Sequence, residues 1–455
     1  MKRFKLYEPE QGYLLPPSPR DWLPPGHLAH FIDQVVDELD LGAIYASYTE
    51  DGGQPPYHPR MMVKVWLYGF AQGIRSSRKL ERALWEDVGF RMLSGNQQPD
   101  HWTLSEFRRR HLQALGDLFV QTVHLAMRAG LVKLGQVAID GTKVKAHASK
   151  HAAMSYGRMA KEEERLRQEI ERYFHEAEAT DQEEDERRGR GGSEELPHHL
   201  RTAQRRLQAI QEAKRALEEE AQERARAEQE ERRCRAEGQG KAYRPRKDSQ
   251  QATPKARAQR NFTDPESRIM VSADEAFIQG YNAQAAVDTE SQMVVACELT
   301  NEAGDVRQMA PLVQQVEKTT GRVPGEVLAD AGYWSEKNVR FLAQRGIEAL
   351  IPPDKVGHRQ WREANPLPPR PSPEASLREK MRYALRLPAN RERYRMREQT
   401  VEPVFGQIKE GRGLRQFLLR GLAKVRALWR LDCAVHNLLK LWRAGVPWEP
   451  RWATP

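Results

Sequence analysis

One segment of the chain, residues 153–260, is too polar to belong to a globular core, and it constrains how the rest can fold. Glu, Arg, Lys, Gln and Ala dominate it, and its apolar residues form only thin stripes. A helix with so narrow a stripe packs against one partner helix but does not cover a sheet. The core must be built from the residues on either side, so we predict that 153–260 is an insertion.

The insertion contains two stretches with apolar residues at helical spacing. The stripe positions are Leu166, Ile170 and Tyr173 in the first stretch and Leu207, Ile210, Lys214 and Leu217 in the second. A segment rich in Gly and acidic residues, about 179–196, separates them. The pattern predicts a coiled-coil-like hairpin of two charged helices, followed by a basic linker at 238–260. The alternative is a disordered charged spacer, because this composition also suits disorder.

The residues before the insertion predict helices. Residues 1–26 are rich in proline and predict an extended arm. Apolar residues then recur at helical spacing from Leu28 onward and again through about 59–73 and 77–92. Residues 27–130 are therefore predicted to form an all-helical domain.

The last helix of this domain is predicted to begin at a capping box and to carry basic residues early. Thr103 and Glu106 have the spacing at which each side chain bonds the other residue's backbone N–H. Arg108, Arg109 and Arg110 follow closely. Because phosphates dock at the positive N-terminal ends of helices, these arginines are candidate DNA contacts, with a solvated surface as the alternative.

Composition and charge exclude several classes of protein. Lys and Arg number 73 against 64 for Asp and Glu, so the net charge is +9, which suits a polyanionic partner. The sequence contains neither a membrane-spanning apolar run nor a secretory signal at its start, so we expect a cytoplasmic protein that does not contact a membrane. Cys234, Cys297 and Cys433 are too widely spaced for a zinc motif.

Two predicted strands each end in an aspartate that is followed closely by glycine. Residues 136–140 form a short apolar run that ends at Asp140 and is followed by a turn at Gly141, and residues 327–330 end at Asp330. Carboxylates at the carboxyl ends of neighbouring strands can converge outside the sheet. The alternative is that each is an ordinary turn aspartate.

These acids favour a site for a hard divalent cation. The sequence has neither a Walker motif nor a GxGxxG motif, so we expect no nucleotide cofactor. Carboxylates without thiol partners favour Mg²⁺, with Mn²⁺ as the alternative, and a pair of such ions is the usual device for attack on a phosphodiester. His147 and His151 are the other possible ligands, but we expect them to face solvent.

A third acid is expected on a helix that contacts the sheet, within residues 394–409. The core-facing positions there are Val401, Val404, Phe405 and Ile408. Periodicity does not separate Glu398 from Glu402, which share a helix face. Because of Pro403, the helix is expected to kink or restart at Glu402, and a kink there can aim Glu402 at the strand ends, whereas Glu410 should be solvated.

Basic and aromatic residues near these acids are candidate DNA contacts. Arg395 and Lys409 each stand seven residues from Glu402 and share its side of the helix, where they can bind a phosphate backbone. Trp334 follows Asp330 closely and can stack on a base, with simple packing as the alternative.

At this point the chain resembles the bacterial insertion-sequence transposases of the DDE type. It is similar to the groups numbered four, five and eleven-eighty-two, and most similar to the last. The matching segments are Ile139–Lys143 (IDGTK), Asn261–Pro265 (NFTDP), Gln279–Gln284 (QGYNAQ), Ala329–Tyr333 (ADAGY), Thr400–Lys409 (TVEPVFGQIK) and Cys433–Leu438 (CAVHNL). They occur in the same order over nearly the whole chain, which makes a chance match improbable.

The resemblance implies a fold class and a domain division. The fold class is α/β. Residues 131–152 and 261–443 would form an RNase-H-like catalytic core, which is a mixed sheet with flanking helices. The helical region at 27–130 resembles the family's DNA-binding or assembly domain, 153–260 is the insertion, and 444–455 is a tail.

The resemblance also implies site residues. Asp140, Asp330 and Glu402 would bind two divalent ions, Mg²⁺ or Mn²⁺. Tyr394 and Arg397, with Lys409, resemble a set of DNA contacts on the last helix of related groups. In this chain four residues separate Arg397 from Glu402, where those groups have three.

The function implied is that of a DNA transposase. It would bind the terminal inverted repeats of its element in double-stranded DNA, cleave the phosphodiester there and join the 3′-hydroxyl to target DNA, as a homodimer or larger assembly. It would act in the bacterial cytoplasm, in association with the nucleoid. The alternatives are an RNase-H-like nuclease that does not join strands, and a catalytically silent DNA-binding repressor derived from a transposase.

Overall fold

A computed structural model describes most of the chain. The described residues are 18–48, 55–188, 198–238, 240, 242–243, 251–272, 275–354 and 369–445, with the backbone alone for 176–188, 198–200 and 235. Most of the predicted arm at 1–26 and of the tail at 444–455, and part of the linker at 238–260, lie outside the described residues.

Helices surround one mixed sheet. The helices are α1 (Leu28–Asp37), α2 (Gly42–Tyr45), α3 (Pro59–Ala71), α4 (Ser77–Glu86), α5 (Val88–Leu93), α6 (His101–Arg128), α7 (Tyr156–Arg188), α8 (His198–Glu237), α9 (Met309–Thr320), α10 (Glu336–Ala343), α11 (Leu377–Ala384), α12 (Pro388–Gly406) and α13 (Leu422–Arg443). The strands are β1 (Gln136–Lys145), β2 (Ala153–Ser155), β3 (Gln259–Asn261), β4 (Arg268–Val271), β5 (Phe277–Asp288), β6 (Val294–Thr300), β7 (Glu326–Ala329) and β8 (Glu348–Leu350).

The region predicted to be all-helical contains α1 to α6, because its apolar residues recur at the 3.6-residue period. The helix predicted at about 77–92 is two helices. Asp87 leaves the helical conformation between them, and its side chain caps α5 by accepting from the Phe90 N–H.

The predicted capping box at the start of α6 is wrong. The helix begins at His101, and Asp100 caps it by accepting from the Thr103 N–H at 2.7 Å. An aspartate is a stronger N-cap than a threonine, so the helix starts three residues earlier than predicted. Glu106 instead pairs with Arg109 one turn along. The three arginines therefore lie beyond the first turn, where the helix dipole no longer favours a phosphate.

The sheet has the order β4–β5–β1–β7–β8, with β6 also paired to β5. β5 and β6 form an antiparallel hairpin, and β1 is antiparallel to β5 and parallel to β7. The turn predicted at Gly141 is wrong. β1 continues to Lys145 because β5 supplies hydrogen-bonding partners along its whole length.

α13 joins the N-terminal helices to the sheet. It packs on α6, where Gly116 approaches the backbone of Ala427 so closely that an added Cβ would lie 2.9 Å from the Ala427 oxygen. On its other side, the Asn437 amide both donates to and accepts from the backbone of Val294 in β6, at 2.9 Å each. One continuous apolar core therefore extends from α1 to the sheet and α13.

The helix does not end and restart at Glu402. α12 continues through Pro403 to Gly406 and ends in a π-helical turn, Gln407–Gly411. Proline has no N–H for the carbonyl of Gln399, and the side chain of Gln292 donates to that oxygen at 3.1 Å instead. This replacement allows the helix to continue.

The described residues of the insertion form a hairpin of two helices, which agrees with the first of the two predicted alternatives. α7 and α8 share a small apolar core of their own, which includes Leu166, Ile210 and Leu217. Lys214, at the remaining seam position, forms an ion pair with the buried Glu163 at 3.0 Å. A two-stranded ribbon of β2 and β3 closes the base of the hairpin.

α8 also contacts residues that follow the insertion. Glu220 binds Arg260 inside the insertion at 2.6 Å and Arg268 of β4 at 2.8 Å, and Glu231 binds Lys337 of α10 at 2.9 Å. No helix in the described part of the chain is long and apolar enough to cross a membrane.

Candidate active site

The sheet brings Asp140 and Asp330 together. β1 and β7 are parallel neighbours, and their last paired residues are Ile139 and Ala329. Each aspartate directly follows its paired residue on strands about 4.8 Å apart. Asp330 follows the end of β7, whereas Asp140 lies where the parallel pairing stops and β1 continues along β5. The charge of Asp330 raises the pKa of Asp140, so the two carboxylates are neighbours, and their joint role in binding a cation stays a prediction.

Local hydrogen bonds orient both carboxylates. Asp140 Oδ1 accepts from the Gly141 N–H at 2.7 Å. Asp330 Oδ1 accepts from the Gly332 N–H at 2.8 Å and thereby caps the short 3₁₀ turn that follows β7. Neither glycine has room for a side chain, because an added Cβ would lie 2.2 Å from Gln284 Nε2 at Gly141 and 2.9 Å from Asp330 Oδ1 at Gly332. The close approach explains the Asp–Gly pattern in both segments.

Asp140 lies in an environment that disfavours its charge. Burial raises the pKa of its carboxyl to about 7, against the attraction of Arg397, and the nearby Asp330 and Asp305 raise it further. Arg397 Nη1 donates to Asp140 Oδ2 at 2.8 Å, and both side chains are largely buried. Three carboxylates therefore lie close enough to repel one another, and a cation bound to Asp140 would relieve that repulsion.

A third aspartate, Asp305, lies beside this pair and was not predicted from the sequence. Its Oδ1 accepts from Lys143 Nζ at 3.0 Å and from the amides of Asn282 and Gln284 at 2.7 Å each. Tyr333, directly after the Asp330 turn, donates to the oxygen of Gln284. One network therefore links Asp305 to β1, to β5 and to the Asp330 turn.

Part of this network could have been found from the sequence. Lys143, Asn282, Gln284 and Tyr333 all stand in segments that resemble the transposase family, but those segments suggested no role for them. Asp305 stands in none of these segments, and only the fold shows its position.

The predicted third acid, Glu402, lies on α12 and is exposed. Burial lowers the pKa of Arg397, but the acidic groups around it outweigh this effect and raise the pKa above the ordinary value. These groups are Asp140, Tyr394, Asp330 and Glu402. The charge of Glu402 therefore stabilises the same guanidinium as the charges of the two aspartates. Glu410 is exposed as predicted and pairs with Arg415.

The carboxylates do not form a closed set of metal ligands. Within the described residues, no three His, Cys, Asp or Glu side chains are grouped closely enough to hold a metal ion. His147 and His151 are exposed. The donors that fit a hard cation are the paired oxygens of Asp140 and Asp330, because two carboxylates in register concentrate negative charge there.

Three candidate DNA contacts of α12 and the following turn occupy different positions. Lys409 donates to the Thr142 hydroxyl at 3.1 Å, two residues from Asp140 on β1, so it lies at the site. The Tyr394 hydroxyl donates to the Ala329 carbonyl at 3.4 Å. Arg395 faces solvent and pairs with Glu392 at 2.7 Å.

The candidates outside α12 differ in accessibility. Arg108 is buried, donates to the Arg75 carbonyl at 2.8 Å and stacks over Trp66, so a DNA contact by this residue is wrong. Arg109 and Arg110 are exposed. Trp334 packs partly buried against the core, in agreement with the packing alternative.

The strand order, with two carboxylates at the end of adjacent parallel strands, defines an RNase-H-like α/β core. A family described as Transposase DDE domain matches residues 220–438, and one described as Transposase domain (DUF772) matches residues 17–110. The chain belongs to the insertion-sequence transposases with a DDE domain. Asp330 and Glu402 lie within the first match, whereas Asp140 lies between the two. No curated protein and no solved structure matched the chain.

Proposed function

We propose that this protein binds the ends of its own element in double-stranded DNA, cleaves the phosphodiester there and joins the freed 3′-hydroxyl to target DNA. The observation that supports the proposal best is that Asp140 and Asp330 each directly follow the last pair of two parallel strands, where their carboxylates are close enough to interact. Its membership in a DNA-cleaving transposase family supplies the substrate class.

In this proposal Asp140, Asp330 and Glu402 hold divalent ions. DDE transposases use such ions, and Mg²⁺, with Mn²⁺ as the alternative, would supply charge stabilisation for the attacking and leaving oxygens of the phosphodiester. The repulsion that Asp330 and Asp305 exert on the carboxylate of Asp140 supports a cation there. Glu402 would complete the set from α12.

Arg397 and Lys409 would act beside these acids. Arg397 holds Oδ2 of Asp140, so a cation that uses this oxygen competes with the guanidinium for it. We infer that Arg397 orients Asp140 and then turns toward the DNA phosphate. Lys409, at the Thr142 hydroxyl, would contact the same backbone. The network of Asp305 would hold the strands in position.

Three features are expected of the DNA complex. Arg109 and Arg110 of α6, with Tyr394 and Arg395 of α12, are the remaining candidate contacts with the duplex. Such contacts are mainly electrostatic, so affinity should fall steeply as salt rises. Two DNA ends must be held together, which implies at least a homodimer on DNA.

The test is a strand-transfer assay with a duplex that carries one terminal inverted repeat, taken from the DNA that flanks the reading frame. Cleavage followed by joining to a target plasmid, dependent on Mg²⁺ or Mn²⁺, is expected. Asp330→Asn should abolish both steps while end binding survives, and Glu317→Gln, an exposed acid on α9, is the matched control. Cleavage without joining would favour a nuclease, and binding with neither step would favour a repressor.

A further inference from the structure

The glycines of the two Asp–Gly segments both lie against the same side chain, that of Asp305. A Cβ added at Gly141 would lie 3.0 Å from Asp305 Oδ1, and one added at Gly332 would lie 3.4 Å from Asp305 Oδ2. The Cβ added at Gly332 would also lie 2.9 Å from Asp330 Oδ1. The carboxylates of Asp305 and Asp330 therefore border the same small space beside Gly332.

Three donors converge on one oxygen of Asp305. Its Oδ1 accepts from Lys143 Nζ at 3.0 Å and from the side-chain amides of Asn282 and Gln284 at 2.7 Å each. Both amides belong to fully buried residues of β5. An ionised carboxylate accepts hydrogen bonds but cannot donate them, so Asp305 determines which end of the Gln284 amide faces it.

Gln284 carries this orientation on to Tyr333. Since Nε2 of Gln284 faces Asp305, its Oε1 is left to accept from the Tyr333 hydroxyl. Burial raises the pKa of Tyr333 well above its ordinary value, and the charges of the three neighbouring aspartates raise it further, so the hydroxyl keeps the proton that it donates. Tyr333 ends the 3₁₀ turn that Asp330 caps, and its N–H donates to the Asp330 carbonyl at 3.1 Å.

A second connection between the two acids runs through Asn338 of α10. Its buried side-chain amide donates to the Tyr333 carbonyl at 2.8 Å and to the Val306 carbonyl at 2.7 Å. Val306 directly follows Asp305 in the chain. The segment of Asp305 and the turn of Asp330 are thus joined twice, once by side chains through β5 and once by a single amide.

Asp330 depends on these contacts more than Asp140 does. Arg397 pairs with Asp140 at 2.8 Å, whereas no ion pair of Asp330 is present in the described part of the chain. Asp330 Oδ1 accepts only from the Gly332 N–H, which belongs to the same turn. The position of the Asp330 carboxylate is therefore set by the turn and by whatever holds the turn.

We propose that Asp305 is a positioning residue of the active site, which holds the Asp330 turn through Gln284 and Tyr333 so that Asp330 stays placed to bind a divalent ion. Lys143 balances the charge of Asp305, and no three acids in the described residues are close enough to hold an ion together, so Asp305 acts through its neighbours. The inference rests on the proposed function, because that proposal assigns the ion to Asp330.

The experiment titrates Mn²⁺ alone into the full chain by calorimetry, and then measures cleavage of the end-bearing duplex over a range of Mn²⁺ concentrations. Tyr333→Phe removes only the hydroxyl that bonds Gln284, and Asp305→Asn removes the charge at nearly constant shape. Each should weaken Mn²⁺ binding about tenfold or more, the usual effect of removing a partner that orients a metal ligand.

The same variants separate positioning from direct ligation. Excess Mn²⁺ should restore the cleavage rate of Tyr333→Phe and Asp305→Asn, because Asp330 is intact in both, whereas it should not restore Asp330→Asn. Affinity for the duplex should stay at the wild-type value. The matched controls are Tyr45→Phe and Asp117→Asn, two exposed residues of α2 and α6, which should bind Mn²⁺ as wild type does.

Unchanged Mn²⁺ affinity in Tyr333→Phe would overturn the inference, also where Asp305→Asn does not fold. A lower melting temperature of both variants with wild-type Mn²⁺ affinity would do the same, since it would show a purely structural role, and so would a wild type that binds no Mn²⁺. A wild type that binds Mn²⁺ but neither cleaves nor joins DNA would contradict the proposed function alone.

Discussion

At the scale of single residues, three glutamates on or next to α12 differ in their surroundings. The charge of Glu402 raises the pKa of the Arg397 guanidinium, as do the charges of Asp140 and Asp330. Glu398 precedes it by one turn and is half-buried, and Glu410 is exposed and paired with Arg415. Glu402 thus lies near Arg397, the ion-pair partner of Asp140, and we keep it as the proposed third acid of the site.

We therefore predict that Glu402→Gln abolishes cleavage, with a loss of at least a hundredfold in the cleavage rate. Binding of the element end should stay intact. The amide is nearly isosteric with the carboxylate but supplies no negative charge for a divalent ion. The measurement is cleavage of an end-bearing duplex beside a gel-shift assay. Glu398→Gln and Glu410→Gln serve as controls that should keep most activity. A dead Glu398→Gln with an active Glu402→Gln would move the assignment by one helical turn.

His436 makes a pH-dependent contribution to stability. Burial lowers its pKa to about 3 in the folded chain, from 6.5 for the unfolded group. As pH falls below about 6.5, the ring of His436 therefore binds a proton in the unfolded state but not in the folded state. The free energy of unfolding keeps its full value above that pH and falls by about 1.4 kcal/mol per pH unit as pH falls toward 3.

We predict that the melting temperature of wild type falls more between pH 7 and pH 5 than that of His436→Gln, which has no titrating ring. The measurement is thermal unfolding at several pH values. His147→Gln removes an exposed histidine and should keep the wild-type pH dependence. Parallel curves for wild type and His436→Gln would show that His436 is not the group responsible.

At the scale of secondary-structure elements, the insertion is built as a separate unit. Its apolar core does not merge with the main core, and its two ends meet at the base, where the Gly157 N–H donates to the Ala256 carbonyl at 3.0 Å. The contacts of Glu220 and Glu231 with the catalytic region are ion pairs near the surface, which contribute little to stability.

Replacing residues 158–255 with a short Gly/Ser linker should leave the core folded, because the linker needs to span only the gap between Gly157 and Ala256. We expect soluble protein with a cooperative thermal transition close to that of wild type. The measurement is size-exclusion chromatography with thermal unfolding. Insoluble protein, or a transition without cooperativity, would show that the hairpin is part of the core.

At the scale of the whole molecule, the N-terminal helices and the sheet share one core. α6 and α13 are in close contact at Gly116, and α13 is bonded to β6 through Asn437. A fragment limited to residues 1–130 would expose the surface of α6 that α13 covers. The DNA-binding role of the N-terminal helices is therefore best tested in the full chain.

Gly116→Val should destabilise the entire protein by about 1–3 kcal/mol, since a side chain there separates α6 from the Ala427 backbone. The expected result is one transition at a lower temperature, measured by calorimetry. Gly304→Val, at an open position where a Cβ contacts nothing, should melt as wild type does. Two separate transitions in Gly116→Val would show that the N-terminal helices unfold independently.

Features that depend on neighbours along the chain were predictable from the sequence. The period of the apolar residues predicted α1, α3, α6 and the insertion hairpin, because helical packing repeats every 3.6 residues. The short apolar runs that end in Asp140 and Asp330 predicted convergent strands. The helix start was misplaced at Thr103 because the nearby Asp100 is a better cap. At Pro403 the helix continues because the distant Gln292 donates to the carbonyl that proline leaves free.

The sequence by itself determined the helices, the strands and the two aspartates, whereas the tertiary structure decided what surrounds them. Arg397 and Asp140 form their ion pair across 257 residues, and Lys143 and Asp305 across 162. Arg108 has the same basic side chain as Arg109, yet only the packing against Trp66 buries it. Burial and charge pairing depend on contacts between distant segments, and no periodicity along the chain encodes them.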